Sequence, residues 1–429
     1  MKNIIETLYP MNRCLLGAGY DNALEFIKHL LDLEIIEIPS GTKLESWTVP
    51  NEWRIKEAWV KNKKGEKIID YSKDPMSLMV GSYPVNAVIS REDLVSHLHY
   101  SEDRPLAIPY TYNLYGDEWG FNIKRDEFMT KNKKVNKGIE LENEKDFIPT
   151  LKWNFPDEQY TVFIDSENVP GKMKLGVHTI PGKSDREILL FAHLDHPFQA
   201  DDNLSGVACL INMVNKIKCE HTVKIVFCPE TIGSIGYATT QDISKVDFMM
   251  AVDICGNDNE LVLQQSFIPS KINSAMYLSL RGSGQSFKLA KFRNLVGSDE
   301  YVFNDPKIGI PGLMLTRFPY DYYHTSDDTP EKINYESIEK TGEGILKAIE
   351  IYEKDFIPLK IFKGPLMRSK YGCQQTTHQL NLPWDYLMYS LDGTKSISEL
   401  CVLYSLDFDL VHEVMEKLIN DGMVKKINI

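Results

Sequence analysis

Residues 191–206 read FAHLDHPFQADDNLSG, two histidines, three aspartates and an asparagine directly behind the apolar run EILLFA at 187–192. Imidazole and carboxylate are the groups that hold Zn²⁺ in catalytic sites. A ligating imidazole usually gives its other N–H to an oxygen acceptor, and Asp195, two residues after His193, is placed for that. Later apolar runs end in the same way. KIVFC is followed by Glu230, FMMAV by Asp253, and PGLMLTRFP by YDYYHTSDD with His324. Each residue alone has an ordinary reading, and Asp202 and Asn203 could simply cap the helix that follows them. Their recurrence behind successive strands points to one site, because ligands of open α/β sheets bind beyond the carboxyl ends of the strands. The chemistry these residues suit is metal-assisted hydrolysis, with a carboxylate able to bridge two ions and a free Glu able to act as a base.

The elements that must position these residues follow from periodicity. From about 160 to 355 continuous apolar strands (YTVFID, EILLFA, VKIVFC, FMMAV, PGLML) alternate with amphipathic helices, and the last helix spans INYESIEKTGEGILKAIEIYEK. That pattern predicts an α/β fold with a largely parallel sheet covered by helices on both faces. A helix is also expected over 20–32, with Ala23, Phe26, Ile27, Leu30 and Leu31 on its apolar face. Residues 46–154, rich in Trp, Tyr and Pro, read as an inserted small β-rich domain. It contains a hairpin in EAWVKNKKGEKIIDY and no cluster of chemistry-bearing residues other than the pair His97 and His99. The expected division is 1–45 with 155–355 as the catalytic domain, 46–154 as the insert, and 360–429 as a winged-helix domain, where Ser396 and Glu399 form a capping box.

Composition bounds the partners. The 429 residues carry a net charge of −13, which argues against nucleic acid and anionic membranes, both of which need a basic face. The tail holds eight acids and four lysines over 384–429, so no nucleic acid is expected despite the winged helix. Seven cysteines stand singly, with no C-x-x-C pair. No signal peptide and no membrane-length apolar run is visible, and a cytoplasmic location is expected.

HLD…ADDNLSG, PETIGSIGY, AVDICG, GSDEYVF and YHTSDDTP, in this order over about 190–330, resemble the co-catalytic zinc aminopeptidases of the bacterial leucyl aminopeptidase type. The whole chain resembles a bacterial family without an assigned activity that joins such a domain to an insert and a C-terminal winged helix. IPSGTKLESWTVPNEWRIKEAWV, IPY, WGF and DNLSG carry that likeness, and members often accompany surface-polysaccharide genes. The resemblance implies that His193 and Asp253 hold one metal, that Asp202 bridges, that His324 holds the second, and that Glu230 is the general base, with Asp195 orienting His193. The pattern breaks at Thr231, which stands where the family has a second Glu, a ligand of the second metal. A weak second site is therefore expected, or a single zinc in a shell that recruits His196 or Glu230. Ser298 and Asp299 are expected to shape a loop over the site and Glu300 to meet a substrate amine. Arg317, Tyr320, Tyr322 and Tyr323 could line a specificity pocket, and Asp327 and Asp328 cap a turn.

The function expected is a zinc-dependent hydrolase of the aminopeptidase type, acting on a peptide or an amide-bearing small substrate. The alternatives are a binding or scaffold protein with a degenerate site, and a single-zinc amidohydrolase or cyclase, since glutaminyl cyclases resemble this fold. The insert or the tail could cover the cleft or join two copies of the chain.

Overall fold

The computed structural model describes residues 1–132, 150–367, 369–371 and 382–427. Its centre is an eight-stranded sheet. The strands in chain order are β1 (Glu34–Pro39), β2 (Lys172–Ile180), β3 (Glu187–His193), β4 (Thr222–Cys228), β5 (Val246–Val252), β6 (Leu261–Gln264), β7 (Phe287–Ala290) and β8 (Gly312–Thr316). Their order across the sheet is β1-β2-β4-β3-β5-β8-β6-β7. The middle four, β4-β3-β5-β8, run parallel. The margins are mixed, because β1 and β2 enter antiparallel and β6 runs against β8. The expected parallel sheet is thus the core of a mixed one.

Parallel pairing sets the site. His193 lies opposite Cys228, and Val252 opposite Leu315, so the four strands end nearly level on one side. Past their first residues the strands are almost wholly apolar, because both faces are covered. Ile188, Leu190 and Ala192 of β3 belong to one apolar cluster, and Leu189 and Phe191 to another. Burying each of these large side chains contributes about 1.5–3 kcal/mol. The first face is covered by α1 (Lys2–Leu8), α2 (Ala18–Lys28), α3 (Gly206–Met213), α5 (Lys271–Ser283) and α6 (Tyr335–Lys354). The second is covered chiefly by α4 (Ile232–Thr240) and the short helix Glu300–Phe303. Helix α2 buries Tyr20, Ala23, Leu24 and Ile27 and ends before Leu30, which is exposed, so its apolar face is one step from the expected one. At α4 the chain comes very close to β4, where a Cβ on Gly233 would meet Cys228 at 2.6 Å.

Strand Tyr160–Val169 does not join the large sheet, as its place in the βαβ run suggested. It pairs with Glu52–Lys61 and Val85–Ile89 in a four-stranded sheet that includes the expected hairpin to Lys67–Asp70. That sheet has its own apolar cluster around Trp53, Val60, Phe121 and Val162. His97 is occupied there, its Nδ1 3.0 Å from the Trp119 carbonyl and its ring stacked on the indole.

Helices α7 (Leu382–Tyr389), α8 (Ile397–Tyr404) and α9 (Phe408–Asn420) are followed by Val424–Ile427, which pairs with Ile357–Lys360. The capping box at Ser396 and Glu399 is present. These helices share the first apolar cluster with the large sheet, and Ser398 bonds Asp355 at the end of α6 through both its N–H (2.9 Å) and its hydroxyl (2.6 Å). The six described cysteines are free, and Cys373 lies outside the described residues. No helix among the described residues is long and apolar enough to cross a membrane.

At the opposite end of the strands from the site, half-buried His221 bridges Asp247 (2.8 Å) and Glu353 (2.5 Å). Burial alone would lower its pKa, but the two carboxylates outweigh it and push it up to about 9 from 6.5. The stabilisation is therefore fully present below about pH 6.5 and is lost as pH rises through about 9. In urea unfolding across pH, His221→Gln is expected to be less stable than the wild type at pH 6, with the gap closing above about pH 9. A gap independent of pH would contradict the bridge.

Candidate metal centre

His193 is the last residue of β3, and the loop after it returns over the sheet to bring Asp202 beside it. Asn203 does the capping there. Its Oδ1 accepts the Gly206 and Ile254 N–H groups, both at 3.1 Å, and its Nδ2 donates to the Val252 carbonyl at 2.8 Å. Asp202 is left to face three imidazoles. Its Oδ1 lies 2.8 Å from His193 Nε2 and 3.0 Å from His196 Nδ1, and its Oδ2 lies 2.9 Å from His324 Nε2. Asp253, one residue beyond β5, reaches to 3.9 Å from His193 Nε2, and Glu230 Oε2 lies 3.5 Å from His196 Nε2.

Two groups of donor atoms each lie within 4.8 Å of one another, His193 with His196 and Asp202, and His193 with Glu230 and Asp253. All of these residues are buried except Glu230, which is partly exposed. Three buried atoms in the nest have no hydrogen-bond partner, Asp202 Oδ2, Asp253 Oδ1 and His324 Nε2. The contact between His324 and Asp202 is short but out of line for a hydrogen bond. Native proteins rarely leave buried polar atoms unpaired. Imidazole and carboxylate gathered in this way are the donor set of a divalent cation such as Zn²⁺. The electrostatics agree. Burial alone would discharge His193, yet the charges of Asp253, Glu230 and Asp202 push its pKa well up. Asp253 is itself raised by burial. The field draws positive charge into the nest.

The supports differ from those expected. Asp195 does not reach His193, and its Oδ1 accepts the Glu230 N–H at 2.9 Å, fixing the start of the Glu230–Thr231 turn. The group facing His193 Nδ1 is the Ser298 hydroxyl, at 3.4 Å. The Thr231 N–H donates to Asp299 Oδ1 at 3.1 Å. Asp299, pushed up to about 7 by burial, also takes the Ser234 hydroxyl at 2.8 Å. Asp328 is no surface cap. It is buried and accepts the N–H groups of Asp201 (2.8 Å) and Asp202 (3.2 Å) and the Tyr320 hydroxyl (3.0 Å). Asp327 pairs instead with Arg104 of the insert.

Of the residues expected to meet substrate, the structure places four elsewhere. Glu300 is fully buried and holds Gln264 Nε2 and the Ser298 N–H, both at 3.0 Å, so it cannot reach a substrate amine. Arg317 is spent on the carbonyls of Asn259 (2.5 Å) and Ser337 (3.5 Å). Tyr323 stacks on the His324 ring, with centroids 3.8 Å apart, and Tyr322 lies under the Lys332 ammonium. None of the four lines the cavity of about 400 Å³ that opens onto Asp195, His196 and Glu230.

Two contributors were not among the residues expected from the sequence. The first is Arg13, fully buried, whose guanidinium donates to the carbonyls of Leu8 (2.6 Å), Tyr9 (3.4 Å), Leu194 (2.9 Å), His196 (2.7 Å) and Gln199 (3.0 Å). It holds the loop that carries His196. Burial lowers its pKa to about 10, against the pull of Asp195, so it stays a cation at neutral pH. The second is Tyr110 of the insert, whose ring stands edge-on to His324 at 5.2 Å and lies 5.6 Å from His196. The repeated aromatics of IPYTYNLY were the one available hint.

A family model described as "Domain of unknown function (DUF4910)" matches residues 2–355. A Clostridium acetobutylicum protein described as "Putative polysaccharide biosynthesis protein with aminopeptidase-like domain" is 32% identical over 442 residues, 99% of this chain and 96% of its own. A crystal structure of a "putative peptidase" from Clostridium acetobutylicum superposes with TM-score 0.79 at 27% identity, again over 99% of this chain and 96% of that one. The zinc aminopeptidase BSAP of Bacillus subtilis superposes with TM-score 0.57 at 14% identity, covering 81% of this chain and 93% of its own. An aminopeptidase from an Aneurinibacillus species gives 0.51 at 14%, covering 82% and 92%. The fold is thus the aminopeptidase-like one.

Replacing Arg13 by Met orphans several buried carbonyls and is expected to cost about 3 kcal/mol in denaturant unfolding, with Arg13→Lys recovering part of it. Unchanged stability in Arg13→Met would contradict the clamp.

Proposed function

The chain belongs to the DUF4910 family, and from its site we propose that it is a zinc-dependent hydrolase of the aminopeptidase type, cleaving a peptide or amide bond. The observation that carries this is the convergence of His193, His196, His324, Asp202, Asp253 and Glu230 behind level parallel strands, with three buried ligand-type atoms left unpartnered. The aminopeptidase-like fold and the name of the Clostridium acetobutylicum relative support the same class.

In this reading His193 and Asp253 would hold one zinc, His324 would hold a second, and Asp202, which faces all three imidazoles, would serve both, with His196 recruited to complete the shell. His196 takes the part that Thr231 cannot play, since a neutral hydroxyl is a poor ligand beside charged ones. A cation held by these residues would supply Lewis acidity for the scissile carbonyl and for the attacking water. Glu230 removes the proton of the attacking water and delivers it to the leaving amine. Its partial exposure at the cavity floor suits a group that must meet both water and substrate. Asp195 acts as a positioning residue by fixing the Glu230 backbone. Ser298 orients His193. Asp328, through the amides of Asp201 and Asp202, aims the bridging carboxylate.

Turnover of aminoacyl amides should be abolished by chelation and restored by zinc. Glu230→Gln is expected to lose about 10²–10⁴ in kcat while keeping its metal, and wild-type-like turnover in that variant would sink the assigned role. His196→Ala should lose about one zinc per chain with Thr231→Ala unchanged. The reverse pattern would show that the hydroxyl, and not the imidazole, completes the second site.

A further inference from the structure

The cavity over the centre is closed on its outer side by the insert. Segment 108–115 docks on the loop that carries His324. The Tyr110 N–H donates to the His324 carbonyl at 2.7 Å, Pro109 forms a β-bridge with Thr325, and Ile108 and Ser326 exchange two bonds, at 2.7 and 3.0 Å. The Arg104–Asp327 ion pair fastens the base of the same segment. Beyond the anchor the segment turns along the cavity. Tyr110, Tyr112, Leu114 and Tyr115 line it, with Trp47 opposite, while the polar floor is Asp195, His196 and Glu230. No Lys or Arg is among the described residues that line it.

Two physical consequences follow. Aromatic faces carry negative charge and, with Asp195 and Glu230 on the floor, repel an anionic group while favouring apolar or cationic ones. The aromatic side chains are also not equivalent. Tyr110 is tied to His324 through its backbone, and the Tyr115 hydroxyl donates to the Thr48 carbonyl at 2.8 Å. Tyr112 is 55% exposed, touches the ring of Tyr110 and makes no hydrogen bond through its hydroxyl, so its ring is free to cover a ligand.

We infer that the insert is the substrate-selecting wall of this site, with Tyr112 as its specificity-determining residue. The cavity takes an uncharged apolar or ring-bearing group beside the scissile amide and rejects anionic ones. This rests on the proposed hydrolase reading for the amide, and on the cavity alone for the selectivity.

The test is equilibrium binding, by calorimetry, of phenylalaninamide, alaninamide and the α-amide of glutamic acid to the full zinc-supplied chain carrying Glu230→Gln, which prevents turnover during the titration, and to the same chain with Tyr112→Ala added; turnover is assayed separately in the chain with Glu230 intact. Thermal stability and zinc content are checked in both proteins. The expected result is at least tenfold tighter binding of phenylalaninamide than of the other two. In Tyr112→Ala that preference should fall about tenfold while zinc content and stability stay unchanged. Should Tyr112→Ala prove unstable, Tyr112→Phe, which keeps the ring, must retain the preference and Tyr112→Leu must reduce it. Equal affinities for the three amides, no binding of any, or a preference untouched by Tyr112→Ala overturns the inference, even if amides are hydrolysed. Selective binding without turnover sinks the hydrolase reading and leaves the wall standing.

Discussion

A buried carboxylate, Asp202, is surrounded by three imidazoles and neighboured by two further acids, and the surrounding structure answers to that cluster. Charge taken out of water is tolerated only when it is paired and hydrogen-bonded. Here Asp202 is hydrogen-bonded by His193 and His196, from the end of β3 and the loop directly after it, and faced by His324, from the loop after β8. Around them lies a ring of backbone-directed supports. Arg13 holds the carbonyls of the His196 loop, Asp328 holds the amides of Asp201 and Asp202, and Asp201 in turn accepts Gly256 N–H and Asn257 Nδ2, both at 2.7 Å. Burial pushes Asp201 up to about 6 and Asp328 up to about 8. These acids serve the cluster mainly as hydrogen-bond acceptors that fix where Asp202 points.

The sheet makes this convergence possible. Four parallel neighbours end level, so the first polar residues after β3, β4 and β5 fall within a few ångströms of one another, and the loop after β8 delivers the last. Close packing at the strand ends holds the register. A Cβ on Gly206 would meet the Val252 carbonyl at 2.2 Å, which leaves no room for a larger residue where helix α3 begins beside β5. Segment 108–115 then adds what the strands do not supply, a set of aromatic side chains seated on the His324 loop and lining the cavity.

The strand ends were legible because a fully covered parallel strand announces itself as an unbroken apolar run, and the polar residue behind it is conspicuous. His193, Asp202, Glu230, Asp253 and His324 are all brought together. Partners reached through the backbone were not legible. Arg13 is one basic residue near a helix end, and nothing in its neighbours says that it will cap five carbonyls. Glu300 and Arg317 looked like ligand-facing charges, yet each is buried where it satisfies amide or carbonyl groups of its own domain. Strand Tyr160–Val169 alternates buried and half-buried residues, the mark of a sheet with one wetter face, and its pairing with the small sheet depends on that alternation. Tyr110 and Tyr112 were hidden because a long tyrosine-rich loop has no periodicity from which a docking face could be read.

The central claim is that the acidic nest is a cation site, and metal content per chain tests it most directly. Protein purified without a chelating tag, supplied with zinc, dialysed and measured by mass spectrometry is expected to hold two zinc ions per chain. A chain that retains none under those conditions would contradict the account, because the charges gathered around Asp202 would then be balanced by protons alone.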